Sequence, residues 1–179
     1  TKKSKFVSCK LSEQDLFDKY RNLIEDGECY VAAGRSNRDY DFLCDSFSKM
    51  TDKKLIIVCD TYYNSNITEN ITIVRDARGD SYFEYLAKAK AVIVPLHRNT
   101  EISSGQLVMI HAMMLGKICI VTDTNQSEEY IDNLNNGILI DNSFTSLHRV
   151  IENIENSQYD YIKNNARNCY LKNYSNENL

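Results

Sequence analysis

The chain has 179 residues, with 21 Lys+Arg against 25 Asp+Glu and a formal net charge of −4. That length suits one domain with a substantial core and is short for two of ordinary size. The mild acidity argues against nucleic acid as a general partner, so any anion has to be bound locally.

Six cysteines, at 9, 29, 44, 59, 119 and 169, show no CxxC and no clustering with His at metal spacing. Several fall in or beside strand-like runs, where a thiol acts as a small hydrophobe, and a reducing, cytoplasmic setting is the expectation. No apolar run approaches the roughly 20 residues that cross a bilayer, and the N-terminus lacks a signal-peptide apolar region.

Residues 1–10 carry four lysines and read as an extended entry segment. Leu16, Phe17, Tyr20, Leu23 and Ile24 recur at helical spacing behind Ser12 as N-cap, with Asp15 three residues on, which predicts an amphipathic helix ended by Gly27. Alternation follows. Glu28–Ala33 is a strand, 34–39 a loop and Tyr40–Met50 a helix; Lys54–Cys59 is a second strand, 64–70 a polar connection and Ile71–Val74 a third strand. Tyr82–Ala89 reads as helix and Ala91–Pro95 as a strand buried on both faces.

The segment Leu107–Leu115 is apolar except for His111 and is closed by Gly116, so it predicts a short helix buried nearly all round, capped by Ser103 or Ser104. Ile118–Val121 is a further strand, Ser127–Leu134 a short helix and Gly137–Ile140 the last strand; Phe144–Ile154 and Tyr159–Tyr170 close the chain as helices. Strands alternating with helices imply an α/β fold: a Rossmann-like parallel sheet of about six strands with helices on both faces. The division expected is an N-terminal extension and helix over 1–28, a Rossmann-like domain over 29–157 and a C-terminal helix over 158–179.

In such a sheet, ligands sit beyond the carboxyl ends of the strands, where helix N-termini present amides. Two stretches reach that edge. Gly34-Arg-Ser-Asn-Arg38 follows the first strand, and two guanidinium groups there can clamp a diphosphate or merely solvate a loop. Glu101-Ile-Ser-Ser-Gly-Gln106 precedes the apolar helix; its Ser104, Gly105 and Gln106 form either an anion site or an ordinary turn. Glu101 can accept hydrogen bonds from sugar hydroxyls or stand as a solvated carboxylate, and His111 is a hydrogen-bonded core residue or a ligand. His97 and Arg98 border the same edge, and Arg75 and Arg78 can face it. No GxSxG, HExxH, Walker loop or GxGxxG occurs, which removes the main support for hydrolase, metalloprotease, NTPase and dinucleotide-oxidoreductase readings.

Three runs carry a resemblance. They are Val31-Ala-Ala-Gly-Arg35, Tyr85-Leu-Ala-Lys-Ala-Lys-Ala-Val-Ile-Val-Pro95, and Ser104-Gly-Gln-Leu-Val-Met-Ile-His-Ala-Met-Met-Leu-Gly-Lys-Ile-Cys-Ile-Val-Thr-Asp123, joined by Asn136-Gly-Ile-Leu-Ile140. In order, they resemble the C-terminal half of a GT-B glycosyltransferase of the large retaining family usually numbered 4, over about residues 30–154.

That resemblance implies that the domain over 29–157 is a nucleotide-sugar-binding domain, one that binds a nucleotide diphosphate-sugar. It implies Arg35 and Arg38 on the diphosphate, Gly34 as the close turn, amides of Ser104, Gly105 and Gln106 beside it, Glu101 near the transferred sugar, and His111 where the family usually has a ribose-binding Glu. Against the family pattern, the Glu-x7-Glu spacing is not met, because Ser103 stands eight positions before His111, and Tyr40 replaces the basic residue expected five positions after Arg35.

The function implied is transfer of a sugar to a glycan or lipid-linked acceptor, in polysaccharide biosynthesis, at the inner face of the membrane by peripheral association. No metal or other cofactor is expected. The acceptor-holding N-terminal half of these enzymes is not within this sequence, so the chain alone is expected to be inactive. A noncatalytic nucleotide-sugar-binding or partner-binding domain is the alternative, and half of a sugar-nucleotide epimerase a third.

Overall fold

A computed structural model describes residues 11–98 and 104–176. Glu101 and Ser103 therefore lie outside the described residues. Six strands form one all-parallel sheet in the order β3-β2-β1-β4-β5-β6. They are β1 (Cys29–Ala33), β2 (Lys54–Val58), β3 (Ile71–Val74), β4 (Val92–Val94), β5 (Cys119–Thr122) and β6 (Ile138–Ile140). The helices are α1 (Phe17–Tyr20), α2 (Tyr40–Phe47), α3 (Asp80–Ala87), α4 (Gln106–Met114), α5 (Phe144–Glu155) and α6 (Asp160–Asn173).

The strands are mostly apolar runs because helices cover both faces of the sheet. Val31, Ala33, Val92, Val94, Cys119 and Val121 pack toward α3, α4 and α6. Tyr30, Ala32, Leu55, Ile57, Ile93, Ile120 and Ile138 pack on the other side with α2 and α5. Helix α4 lies between the sheet and α6, which is why Val108, Met109, Ile110, Ala112, Met113 and Met114 are all buried. Lys117 follows it fully buried, its ammonium donating to Glu25 O at 2.5 Å and Ala89 O at 2.9 Å, and burial pushes its pKa down to about 8.

The structure corrects three local expectations. The helix expected from Leu16 to Ile24 is only α1 and one 3-10 turn, and Ser12 caps nothing. The preceding segment is instead drawn out along the chain's far end, with Glu13 bridged to Ser175. Asp15, expected in a capping role, takes both guanidinium nitrogens of Arg167 from α6. Ser127–Leu134 is a chain of turns rather than a helix. Ser127 is buried, and its hydroxyl bonds Thr122 O and the Thr124 backbone, so local side-chain bonds replace a helical ladder there. Finally, Ser104 does not cap α4: the N-cap is Gly105 at φ 90°, with no side-chain cap.

Candidate functional site

The sheet order reverses between β1 and β4, and loops leaving the two strands in opposite directions open a crevice at their carboxyl ends. Arg38 spans it. Its Nε donates to Ala33 O at 3.0 Å and its Nη1 to Ser36 O at 2.6 Å and, at 3.5 Å, to Ser104 Oγ across the crevice. Burial draws its pKa below the ordinary arginine value, yet a guanidinium keeps its proton in proteins.

Two glycines make room for this side chain. A Cβ on Gly34, at φ +112°, would lie 2.5 Å from Arg38 Nη2, and one on Gly105, at φ +90°, would lie 2.9 Å from Val94 Cγ1 and 3.7 Å from Arg38 Nη1. The crevice holds about 340 Å³ and is lined by Gly34, Arg35, Ser36, Arg38 and residues 104–108. The first turn of α4 points its N–H groups at this space, and the helix dipole adds to the two guanidinium charges. It is therefore a cationic, amide-lined cleft suited to an anion.

A second, smaller cleft of about 140 Å³ adjoins it and shares Gly34 and Arg35. Its walls come from the ends of β2 and β3 and the start of α3: Val58, Cys59, Asp60, Val74, Arg75, Ala77, Arg78 and Tyr82. Arg35 Nη2 donates to Asp60 Oδ2 at 2.6 Å, and Arg78 Nη2 reaches the same oxygen at 3.4 Å. Behind this cleft the Tyr82 hydroxyl meets His111 Nδ1 at 3.0 Å, and the Phe83 ring packs edge-on against the imidazole at 4.8 Å. Burial pushes the His111 pKa down to about 4, so the ring is neutral near pH 7.

Gly34, Arg35, Arg38, Ser104, Gly105 and Gln106 thus converge on one crevice, while His111 meets the neighbouring cleft through Tyr82. Of the flanking basic residues, Arg75 and Arg78 line the smaller cleft. His97 and Arg98 turn instead toward Asp39 and Asp141. Asp60 and Tyr82 were missed in the sequence. Asp60 did carry a signal, being the first acidic residue after the apolar run of β2 and so at the same edge as Gly34; nothing local marked Tyr82. Among the described residues no three His, Cys, Asp or Glu side chains are grouped to hold a metal ion, and no helix is long and apolar enough to cross a membrane.

Sheet order, crevice and helix placement together define a Rossmann-like domain of the GT-B type. The family model for Glycosyl transferases group 1 matches residues 28–156, and the chain belongs to that family. Among solved structures, it is similar to HepE of Anabaena in complex with UDP and glucose, with a TM-score of 0.69 and 16% identity over 90% of this chain and 48% of that one. Sucrose-phosphate synthase of Thermosynechococcus elongatus gives a TM-score of 0.71 and 16% identity over 95% and 48%. The C-terminal domain of the LpcC group 1 glycosyl transferase of Francisella tularensis gives 0.66 and 12% identity over 93% and 96%. The chain spans about half the length of HepE and of the synthase, and nearly all of the LpcC domain. Compared with curated proteins, it finds no significant match.

Proposed function

We propose that this chain is the donor-binding domain of a retaining, family 4 glycosyltransferase that moves a sugar from a nucleotide diphosphate-sugar to a glycan or lipid-linked acceptor. The observation that carries the reading is the crevice between β1 and β4, where Arg38, Ser104 and the opening turn of α4 face the same space as Arg35. A diphosphate in it would lie against two guanidinium groups and the amides of residues 104–106. The adjoining cleft, with apolar Val58, Val74 and Ala77, would take the nucleoside.

The chemistry is electrostatic. Charge builds on the departing diphosphate as the glycosidic bond breaks, and preorganised donors that are already fixed stabilise it without reorganising. Arg38 is fixed by its bonds to Ala33 and Ser36. Arg35 is the movable partner, exchanging its Asp60 ion pair for the diphosphate. Glu101 is assigned to the transferred sugar and His111 to a ribose hydroxyl, and no metal enters. Because the chain spans about half of HepE, a second domain would hold the acceptor and close the cleft, and this chain alone would bind donor without transferring it. We place the complete enzyme in polysaccharide synthesis at the cytoplasmic membrane face.

A second reading has one observation in its favour. His111 stands neutral and bonded to Tyr82 where the family usually carries a carboxylate, which suits a domain that binds a nucleotide-sugar without turning it over.

Thermal-shift titration with UDP, GDP, ADP and CDP, repeated on Arg35→Ala, tests the donor site. A ligand at about 100 times its dissociation constant stabilises the fold by about 2.7 kcal/mol. The reading expects one diphosphate to raise the midpoint and Arg35→Ala to remove the rise. No response to any of the four at millimolar concentration counts against it. Turnover by the full-length enzyme would decide between the two readings.

A further inference from the structure

Among the described residues, a single side-chain hydrogen bond reaches the His111 ring: the Tyr82 hydroxyl meets Nδ1 at 3.0 Å. Both side chains are half-buried, and Tyr82 also lines the smaller cleft. The bond joins two helices, since Tyr82 belongs to α3 and His111 to α4.

Its direction decides what the ring can do. A neutral imidazole carries a proton on one nitrogen and a lone pair on the other, and this ring is neutral near pH 7. Were the proton on Nδ1, that N–H would donate to the phenol oxygen, and the phenol hydrogen would then have no acceptor among the described residues. With Tyr82 donating, one bond satisfies both atoms. The positive charge of Arg38 also acts on the Tyr82 hydroxyl, and a nearby cation makes a phenol a better donor and a poorer acceptor. The nitrogen that stays protonated is set by the bond the other one makes.

We infer that Tyr82 is a positioning residue: by donating to Nδ1 it fixes the His111 ring with its proton on Nε2, so that His111 meets the bound nucleotide as a hydrogen-bond donor. This rests on the donor-site reading above and adds to it a residue and a polarity. The carboxylate that the family usually carries at this helix position only accepts when ionised. Here a ligand hydroxyl is met at its oxygen and keeps its own hydrogen for another partner.

Long-range proton–nitrogen correlation spectra of the histidine rings at pH 7 read the tautomer, with His111→Gln assigning its signals among the three histidines. The wild type should show an unprotonated Nδ1 and a protonated Nε2. Tyr82→Phe, which removes only the hydroxyl, should move both nitrogens toward the averaged values of a freely exchanging ring. Isothermal titration then uses whichever of UDP, GDP, ADP and CDP the wild type prefers. Tyr82→Phe should weaken that diphosphate by about two- to tenfold, the range of one neutral hydrogen bond. In a His111→Ala background the same change should leave affinity unaltered, because Tyr82 acts through the ring. A protonated Nδ1 in the wild type overturns the inference and needs no variant. So does a ring spectrum unchanged in Tyr82→Phe, or a full loss of affinity persisting in the His111→Ala background, which would put the hydroxyl on the ligand itself. Absence of any diphosphate binding to the wild type removes the donor-site reading, while the ring spectrum still decides the tautomer, so the two failures are told apart.

Discussion

Gly34→Ala tests how Arg38 is held in the crevice. The backbone comes first: φ at Gly34 is +112°, a region where a residue with a Cβ costs about 1–3 kcal/mol. The new methyl would also stand 2.5 Å from Arg38 Nη2 and 3.0 Å from its Cζ. Those atoms end a flexible side chain, so the guanidinium moves and the strand stays. Moving it breaks the 3.0 Å bond to Ala33 O, and a hydrogen bond from a charged donor contributes about 1.5–3 kcal/mol. The exposed bond to Ser36 adds little.

The expected loss is therefore roughly 2.5–6 kcal/mol in the wild type, but only about 1–3 kcal/mol in an Arg38→Ala background, where no guanidinium remains to be displaced. Urea denaturation of the four proteins of this cycle reads the difference, a coupling of about 1.5–3 kcal/mol. A coupling under about 0.5 kcal/mol, the spread of independent sites, would mean that Arg38 does not rest on Gly34.

Three further outcomes are expected. His111 has a folded pKa of about 4 against an ordinary 6.5, so between those values the unfolded chain binds the extra proton and stability falls as pH drops. His111→Gln should flatten that slope by at most about 3 kcal/mol in acid denaturation, and imidazole NMR shifts that titrate near 6.5 would disprove the burial. Asn70, whose amide donates to Phe47 O, Met50 O and Lys53 O, should cost about 1–3 kcal/mol as Asn70→Ala in a urea titration, because one amide ties three carbonyls of the turn between α2 and β2 together; a change under 0.5 kcal/mol contradicts that role. Arg167→Met removes the bidentate pair with Asp15, the bond to Met114 O at 3.0 Å and the stack on Phe17 at 4.4 Å. A partly buried Asp15 left with only the Phe17 N–H should lower stability by about 2–4 kcal/mol, with hydrogen exchange rising first in residues 11–24; uniform exchange across the chain would refute the local tie.

Much of the site was legible because its positions follow from strand ends. Gly34, Arg35 and Arg38 come directly after an apolar run, and Ser104, Gly105 and Gln106 open the helix after another, so a parallel sheet brings both to one edge. What was not legible depended on partners far along the chain. The place of Asp60 after β2 was legible, but not that Arg35 and Arg78 would both meet one of its oxygens. His111 could have been core or ligand. Its ring is half-buried and bonded to Tyr82, a residue that lies 29 positions earlier and had no local mark.

Local pattern was enough for the six strands, the largely apolar α4 and the edge on which the loops after β1 and β4 gather. Runs such as Val92–Val94 and Cys119–Thr122 are stable only when covered on both faces, and such cover implies a parallel sheet flanked by helices. Only the tertiary structure decided the strand order and hence the crevice between β1 and β4, the turns at Ser127, and the extended run before α1. Each of these rests on a choice between local hydrogen bonds and partners distant in sequence: Asp15 finds Arg167 across 152 residues, and Arg38 reaches Ser104 across 66. Periodicity reports which face of an element is apolar, and it is silent on which neighbour that face or its polar ends will meet.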